Sequence, residues 1–205
     1  MTRLLVKVCG LTNAEDAAQA AAAGADFLGF VVHPPSPRHC ADLAAACKGH
    51  DARSVLVTVG DEAEPMMRLA EAAGLRWIQP HASRAARGRI VGQLRTAGFR
   101  VLLPWPDEPG QDPIDADLYL WEPSPEATGV AGGSGRAHAA QFPPPGAYLL
   151  AGGLDGESLR GRIQDLPYAH LRFLKGVDAA SRLERAPGLK DPAKVTAFVE
   201  AARAL

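Results

Sequence analysis

The sequence predicts an α/β protein, a single (β/α)8 TIM barrel domain spanning residues 1–205. Short apolar runs alternate with helical patterns eight times from end to end, which implies parallel strands joined by right-handed crossovers. Eight units close a barrel, and 205 residues lie near the ~200-residue floor of that fold. The alternative, a doubly wound open sheet, calls for a G-x-G-x-x-G turn after the first strand. Cys9-Gly10-Leu11-Thr12-Asn13-Ala14-Glu15 does not supply it.

The first strand is expected over Leu4–Cys9 and ends in a cysteine. Thr12 and Glu15 have capping-box spacing, so a helix is expected to start there, and Gly24 terminates it. The second strand is Phe27–Val32, with "HPPSPRHC" at its exit and a short helix in "ADLAAACKG". Arg53–Gly60 is the third strand. The helix after it, "DEAEPMMRLAEAAGL", carries acids in its first turn, where the helix dipole favours them. "LRWIQPHA" is the fourth strand, "SRAARGRIVGQLRTAGF" holds a helix, and Phe99–Trp105 is the fifth strand. A loop rich in Asp and Pro leads to the sixth strand, "DLYLWEPS", and a glycine-rich stretch follows. Ala147–Gly153 is the seventh strand, with a helix expected from Asp155 to Gln164. The eighth is placed at "AHLRFLKGV". Asp191 and Pro192 open the last helix, whose Val195, Phe198, Val199, Ala202 and Leu205 share one face.

The composition excludes several classes of partner. The net charge is −1, so there is no basic excess to meet a nucleic acid. No apolar run reaches membrane-spanning length, and "MTRLLVKVCG" lacks the pattern of a signal peptide. Cys9, Cys40 and Cys47 make no CxxC and no zinc spacing. An odd count of thiols without a secretory signal points to the cytoplasm. The expected assembly is a monomer or a homodimer.

In such a barrel the active site gathers at the carboxyl ends of the strands. The polar residues expected there are Cys9, Arg38, His81 and Glu122, with Arg172 and Lys175 at the eighth strand. Glycines that let backbone amides approach a phosphate are expected at Gly132-Gly133-Ser134-Gly135, at Gly152-Gly153 and at Gly176. Cys9 reads either as a small core side chain or as a reactive thiol facing a ligand.

The run Lys7-Val8-Cys9-Gly10, then Gly24-Ala25-Asp26 with Gly29-Phe30, then Ser36-Pro37-Arg38, resembles the N-terminal signature of phosphoribosylanthranilate isomerases. The resemblance continues through the GGSG at Gly132, the LAGGL at Leu150 and "GVDAASRLERAPGLKD". It implies an Amadori rearrangement of N-(5-phosphoribosyl)anthranilate in tryptophan biosynthesis, without metal or cofactor. A general acid protonates the furanose ring oxygen, which opens the ring to a Schiff base. A general base then removes the proton from sugar C2. By this resemblance Cys9 is the base, Arg38 binds the anthranilate carboxylate, and His81 lines the pocket. By the same resemblance the backbone at Gly133, Gly153 and Gly176 holds the phosphate, with Gly135, Gly152 and Lys175 as further expected phosphate contacts.

The sequence departs from the family pattern at several points. Glu122 stands where the family ends its sixth strand in an aspartate acid. Pro80-His81-Ala82 replaces Leu-His-Gly, and the family's Phe-Asp-Trp after its glycine run is absent. Aligning "RFLKGVD" with the family's D-V-S-S-G-V-E run puts Arg172 in place of an aspartate that contacts substrate, and Leu174-Lys175 in place of the serines. Three readings follow: an isomerase with a varied site, a related barrel for another phosphorylated or anionic compound read by Arg172 and Lys175, and a non-catalytic relative that binds a ligand or partner.

Overall fold

In the first strand, β1 (Leu5–Cys9), Val6 and Val8 pack outward against helices, while Leu5, Lys7 and Cys9 point the other way. This period-2 division repeats around the ring. The strands are β2 (Phe27–Val32), β3 (Ser54–Val59), β4 (Trp77–His81), β5 (Arg100–Pro106), β6 (Leu118–Glu122), β7 (Tyr148–Leu150) and β8 (Leu174–Ala179). They form a closed parallel barrel in sequence order. The computed structural model describes residues 3–106, 110, 112–122 and 142–205.

Closure is made by β8 against β1, with Leu5 opposite Gly176 and Lys7 opposite Asp178. The ring separates two apolar regions. Outside it, Val6, Val8, Phe30, Ile78, Val101, Val177 and the inner helix faces form the larger core. Inside it, Val55, Val57, Leu102, Leu118, Leu120 and Leu149 fill the lumen. Phe27 and Trp77 meet edge to face at 5.2 Å near its amino end, and the Arg100 guanidinium lies 5.5 Å from the Trp77 ring.

Helices at Ala14–Ala22, Leu43–Cys47, Ala63–Ala72, Arg84–Thr96, Leu159–Gln164 and Pro192–Arg203 surround the strands. Residues 112–117, before β6, carry no helix. The last helix docks by Val195, Phe198, Val199 and Ala202, all buried, and Asp191 accepts from Ala193 N at 3.0 Å as its cap. Arg203 at its far end pairs with Asp26 at 2.8 Å, and Asp26 also accepts from Val6 N at 2.8 Å. The aspartate of the Gly24-Ala25-Asp26 motif therefore fastens β1, the start of β2 and the C-terminal helix together.

Three local expectations shift. The first helix is capped by Asn13, which accepts from Asp16 N at 2.8 Å, one residue later than expected. Thr12 instead donates to Gly188 O at 2.8 Å. The eighth strand starts five residues after the expected Ala169 and ends two beyond Val177. Pro167 fixes the chain into a helical turn over Tyr168–Leu171, so the apolar residues Leu171 and Phe173 precede the ladder rather than form it. The helix expected from Asp155 begins at Leu159, with Asp155 accepting from Ser158 N at 2.8 Å.

After β8 the chain makes a short turn at Ser181–Leu183 and a two-stranded hairpin, Glu184–Ala186 with Leu189–Lys190. Its tip residue Gly188 has φ +80° and lies so close to Pro37 O that a Cβ would stand 2.6 Å from it. The hairpin thus sits against the loops that leave β1 and β2.

Candidate active site

The carboxyl end of the lumen is polar where the rest is apolar. Lys7 is fully buried, and its ammonium lies 2.8 Å from Asp178 Oδ1. The parallel register that sets these two residues side by side accounts for the pair. Burial is the largest influence on Lys7 and disfavours its charge, but Asp178 and Cys9 together outweigh it and raise the lysine pKa. Cys9 follows Lys7 by two residues and so shares its inward face. Burial pushes the Cys9 thiol above its ordinary pKa; Lys7 and Lys190 pull it back and Asp178 opposes them.

Glu122 ends β6 in the inward row Leu118, Leu120, Glu122. Burial and the charge of Asp178 push its carboxyl up to about 7, while Lys7 acts in the opposite direction. The thiol and the carboxyl group therefore respond to the same buried ion pair, from two sides of the barrel. Near neutral pH a substantial fraction of Glu122 carries its proton, as an acid catalyst requires.

His81 ends β4 on the inward row with Gln79 and is pushed down to about 4 by burial and by Lys7. The ring is thus neutral. The Gln79 amide lies 3.0 Å from His81 Nε2, while its own Oε1 is buried and has no hydrogen-bond partner among the described residues.

Arg38, at the exit of β2, makes a paired contact with Glu184: Nε to Oε1 at 2.7 Å and Nη2 to Oε2 at 2.9 Å. Glu184 is buried and also accepts from Lys190 Nζ at 3.2 Å. A guanidinium has five N–H donors, and among the described residues no hydrogen bond uses the edge formed by Nη1 and the second Nη2 hydrogen. The hairpin fixes the direction in which that edge points.

Gly29, opposite Cys9 in the β1–β2 register, makes room for the thiol. A Cβ there would lie 2.8 Å from Sγ and 3.1 Å from Cys9 Cα. Gly29→Ala is expected to destabilise the fold by about 1–3 kcal/mol through overpacking and to move the thiol. Thermal melting together with the rate of Cys9 alkylation reads both effects.

The other expected residues divide. Gly152 and Gly153 follow β7 with φ of +89° and +65°, and Arg182 Nε lies 3.9 Å from where a Gly153 Cβ would be. Gly133 and Gly135 lie outside the described residues. Arg172, Lys175 and Gly176 need correction, because the strand begins at Leu174. Arg172 closes the preceding helical turn and stacks on Phe173 at 4.4 Å. Lys175 is exposed, and Gly176 pairs with Leu5 at the amino end of β1. All three lie at the opposite end of the barrel from Cys9. Read from Asp178, the run Asp178-Ala179-Ala180-Ser181-Arg182-Leu183-Glu184 keeps the aspartate-to-glutamate spacing of the D-V-S-S-G-V-E pattern. The charge reversal expected at Arg172 disappears.

Sequence reasoning also passed over Lys7, Asp178, Glu184 and Lys190. A lysine two residues before the cysteine of a buried strand was the available signal for Lys7. The D-x5-E spacing, read in the correct register, was the signal for Asp178 and Glu184. A groove of about 1050 Å³ lined by Asp61, Glu64, Met67, Arg89 and Gln93 lies outside the barrel and holds none of these groups. Among the described residues no cluster of His, Cys, Asp and Glu is placed to hold a metal ion, and no helix is long and apolar enough to cross a membrane.

No family model matches the chain. Curated relatives do. The N-(5'-phosphoribosyl)anthranilate isomerase of Deinococcus radiodurans is 36% identical over 222 residues, covering 98% of this chain and 97% of that protein. The enzyme of the same name from Geobacter sp. (strain M21) is 33% identical, covering 98% of each. The crystal structure of TrpF from Jonesia denitrificans superposes with a TM-score of 0.73 at 30% identity, over 98% of this chain and 97% of that one. The phosphoribosyl anthranilate isomerase of Thermus thermophilus gives 0.74 at 27% identity, over 97% and 98%. With a closed eight-stranded barrel, a thiol and a carboxyl group around one buried ion pair, and relatives of this identity over nearly full length, the chain belongs to the phosphoribosylanthranilate isomerase family.

Proposed function

We propose that this isomerase converts N-(5-phosphoribosyl)anthranilate to its ketose product by an Amadori rearrangement, with Glu122 as general acid and Cys9 as general base. The observation that carries the proposal is the shared, buried Lys7–Asp178 pair at 2.8 Å, whose charges act on both groups. Glu122 gives its proton to the furanose ring oxygen as the C1–O bond breaks, and the nitrogen lone pair forms the C1=N bond of the Schiff base. Cys9, as thiolate, takes the proton from C2. The released electron pair makes the C1=C2 bond and neutralises the nitrogen, and the enolamine tautomerises to the ketone. The extra methylene of Glu122 relative to aspartate extends its reach, so Glu122→Asp tests whether that length is needed.

Arg38, held by Glu184, offers its free edge to the anthranilate carboxylate, a geometry suited to paired hydrogen bonds. His81 lines the pocket as a neutral ring. The phosphate is held by backbone at Gly152 and Gly153, where no Cβ stands in the way, and by the first turn after β8, beside Arg182. Gly133 and Gly135 remain candidates for the same role. The three free cysteines suit a reducing cytoplasm. The reading in which Arg172 and Lys175 select a different anionic compound loses its support, because both lie at the far end of the barrel.

Expression in a tryptophan auxotroph that lacks this isomerase tests the proposal. Growth without tryptophan is the expected result. Failure to grow, with the protein folded and abundant in the cells, contradicts it.

A further inference from the structure

The buried ion pair has more to do than fill the lumen. Lys7 is fully buried in a strand whose other inward residues are Leu5 and Cys9. A lone ammonium there is costly, and a leucine or methionine would fill the space at lower cost. Its partner Asp178 accepts it at 2.8 Å and keeps it charged. The same strand face then presents Cys9 two residues on, in a space that Gly29 keeps open.

We propose that Lys7 is the positioning residue for the catalytic base: its charge, held in place by Asp178, stabilises the Cys9 thiolate and sets the fraction of enzyme able to take the C2 proton. The inference rests on the reading of Cys9 as the base. The ionisable groups around the thiol are Lys7 on its own strand, His81 on β4, Glu122 on β6, Asp178 on β8, and Lys190 with Glu184 and Arg38 at the hairpin. Of these, Lys7 is the largest influence that favours the thiolate, and desolvation is the influence it opposes. Without Lys7, burial acts on the thiol with Lys190 as the opposing charge among the described residues, and the thiolate becomes scarcer at every pH below its pKa.

The test is iodoacetamide alkylation of Cys9 in the free enzyme across pH 6–10, followed on the Cys9 peptide by mass spectrometry so that Cys40 and Cys47 do not contribute. Lys7→Met is expected to slow alkylation at pH 8 by about tenfold or more, which corresponds to a rise of about one pKa unit. Loosened packing would have the opposite sign, since it exposes the thiol and speeds alkylation. Lys7→Met leaves Asp178 buried and unpaired, so the double variant Lys7→Met/Asp178→Asn keeps the test alive if the single variant does not fold. The double variant is also expected to titrate above the wild type, because the influence of Lys7 exceeds that of Asp178. A folded variant with the wild-type alkylation profile, or with faster alkylation, overturns the proposal. The readout needs no turnover, so an inactive wild type would count against the proposed reaction and leave this result separate.

Discussion

Replacing Cys9 by alanine is expected to lower kcat by about 10²- to 10⁴-fold, the usual contribution of a positioned general base, with little change in the binding of a phosphorylated ligand. The separation follows from the geometry. Cys9 ends β1 in the lumen, whereas the glycines proposed to hold phosphate follow β7. Removing one sulfur from beside Gly29 leaves a small void and no unpaired charge, because Lys7 keeps Asp178. Melting temperature should therefore fall only slightly. Steady-state kinetics and a phosphate-competition measurement on the same preparation separate the two effects. Wild-type kcat in the alanine variant would remove Cys9 from the mechanism.

Glu122→Gln is expected to cut kcat by a comparable factor while making the protein more stable above neutral pH. The carboxyl of Glu122 is raised from 4.5 to about 7 by burial and by Asp178, a difference of about 3 kcal/mol between folded and unfolded ionisation. A carboxyl group with a raised pKa favours the fold most when protonated. Below its unfolded value there is no penalty; between about 4.5 and 7 the penalty grows; above the folded value it is complete. Glutamine is neutral throughout and of nearly the same shape. The gain in Tm over wild type should thus be near zero at pH 4.5 and reach about 6–12 °C at pH 8, using roughly 2–4 °C per kcal/mol for a chain of this size. Equal shifts at both pH values would mean that the carboxyl group ionises freely. Glu122→Asp keeps an acid at the strand end and is expected to retain turnover that Glu122→Gln loses.

The ring of strands was legible because its signals are local. Apolar runs bounded by glycine, and a capped last helix with Val195, Phe198, Val199 and Ala202 on one face, need no knowledge of distant partners. The placement of Cys9, His81 and Glu122 at one end of the barrel was legible because each ends an apolar run, and in a parallel barrel every such end faces the same way. The eighth strand was misread because Leu171 and Phe173 look like strand residues, although Pro167 turns the chain into a helix before them. That shift carried Arg172, Lys175 and Gly176 to the wrong end of the barrel and hid Asp178. The pairs Lys7–Asp178 and Arg38–Glu184 join residues 171 and 146 positions apart. Only the closing register of β8 on β1 and the fold of the final hairpin bring them together, and no local pattern encodes either.

The most direct measurement is turnover of N-(5-phosphoribosyl)anthranilate by the purified protein, followed by the loss of substrate fluorescence. The account predicts turnover by the wild type and its loss in both Cys9→Ala and Glu122→Gln. A folded wild type that leaves the substrate unchanged, or either variant working at the wild-type rate, would contradict it.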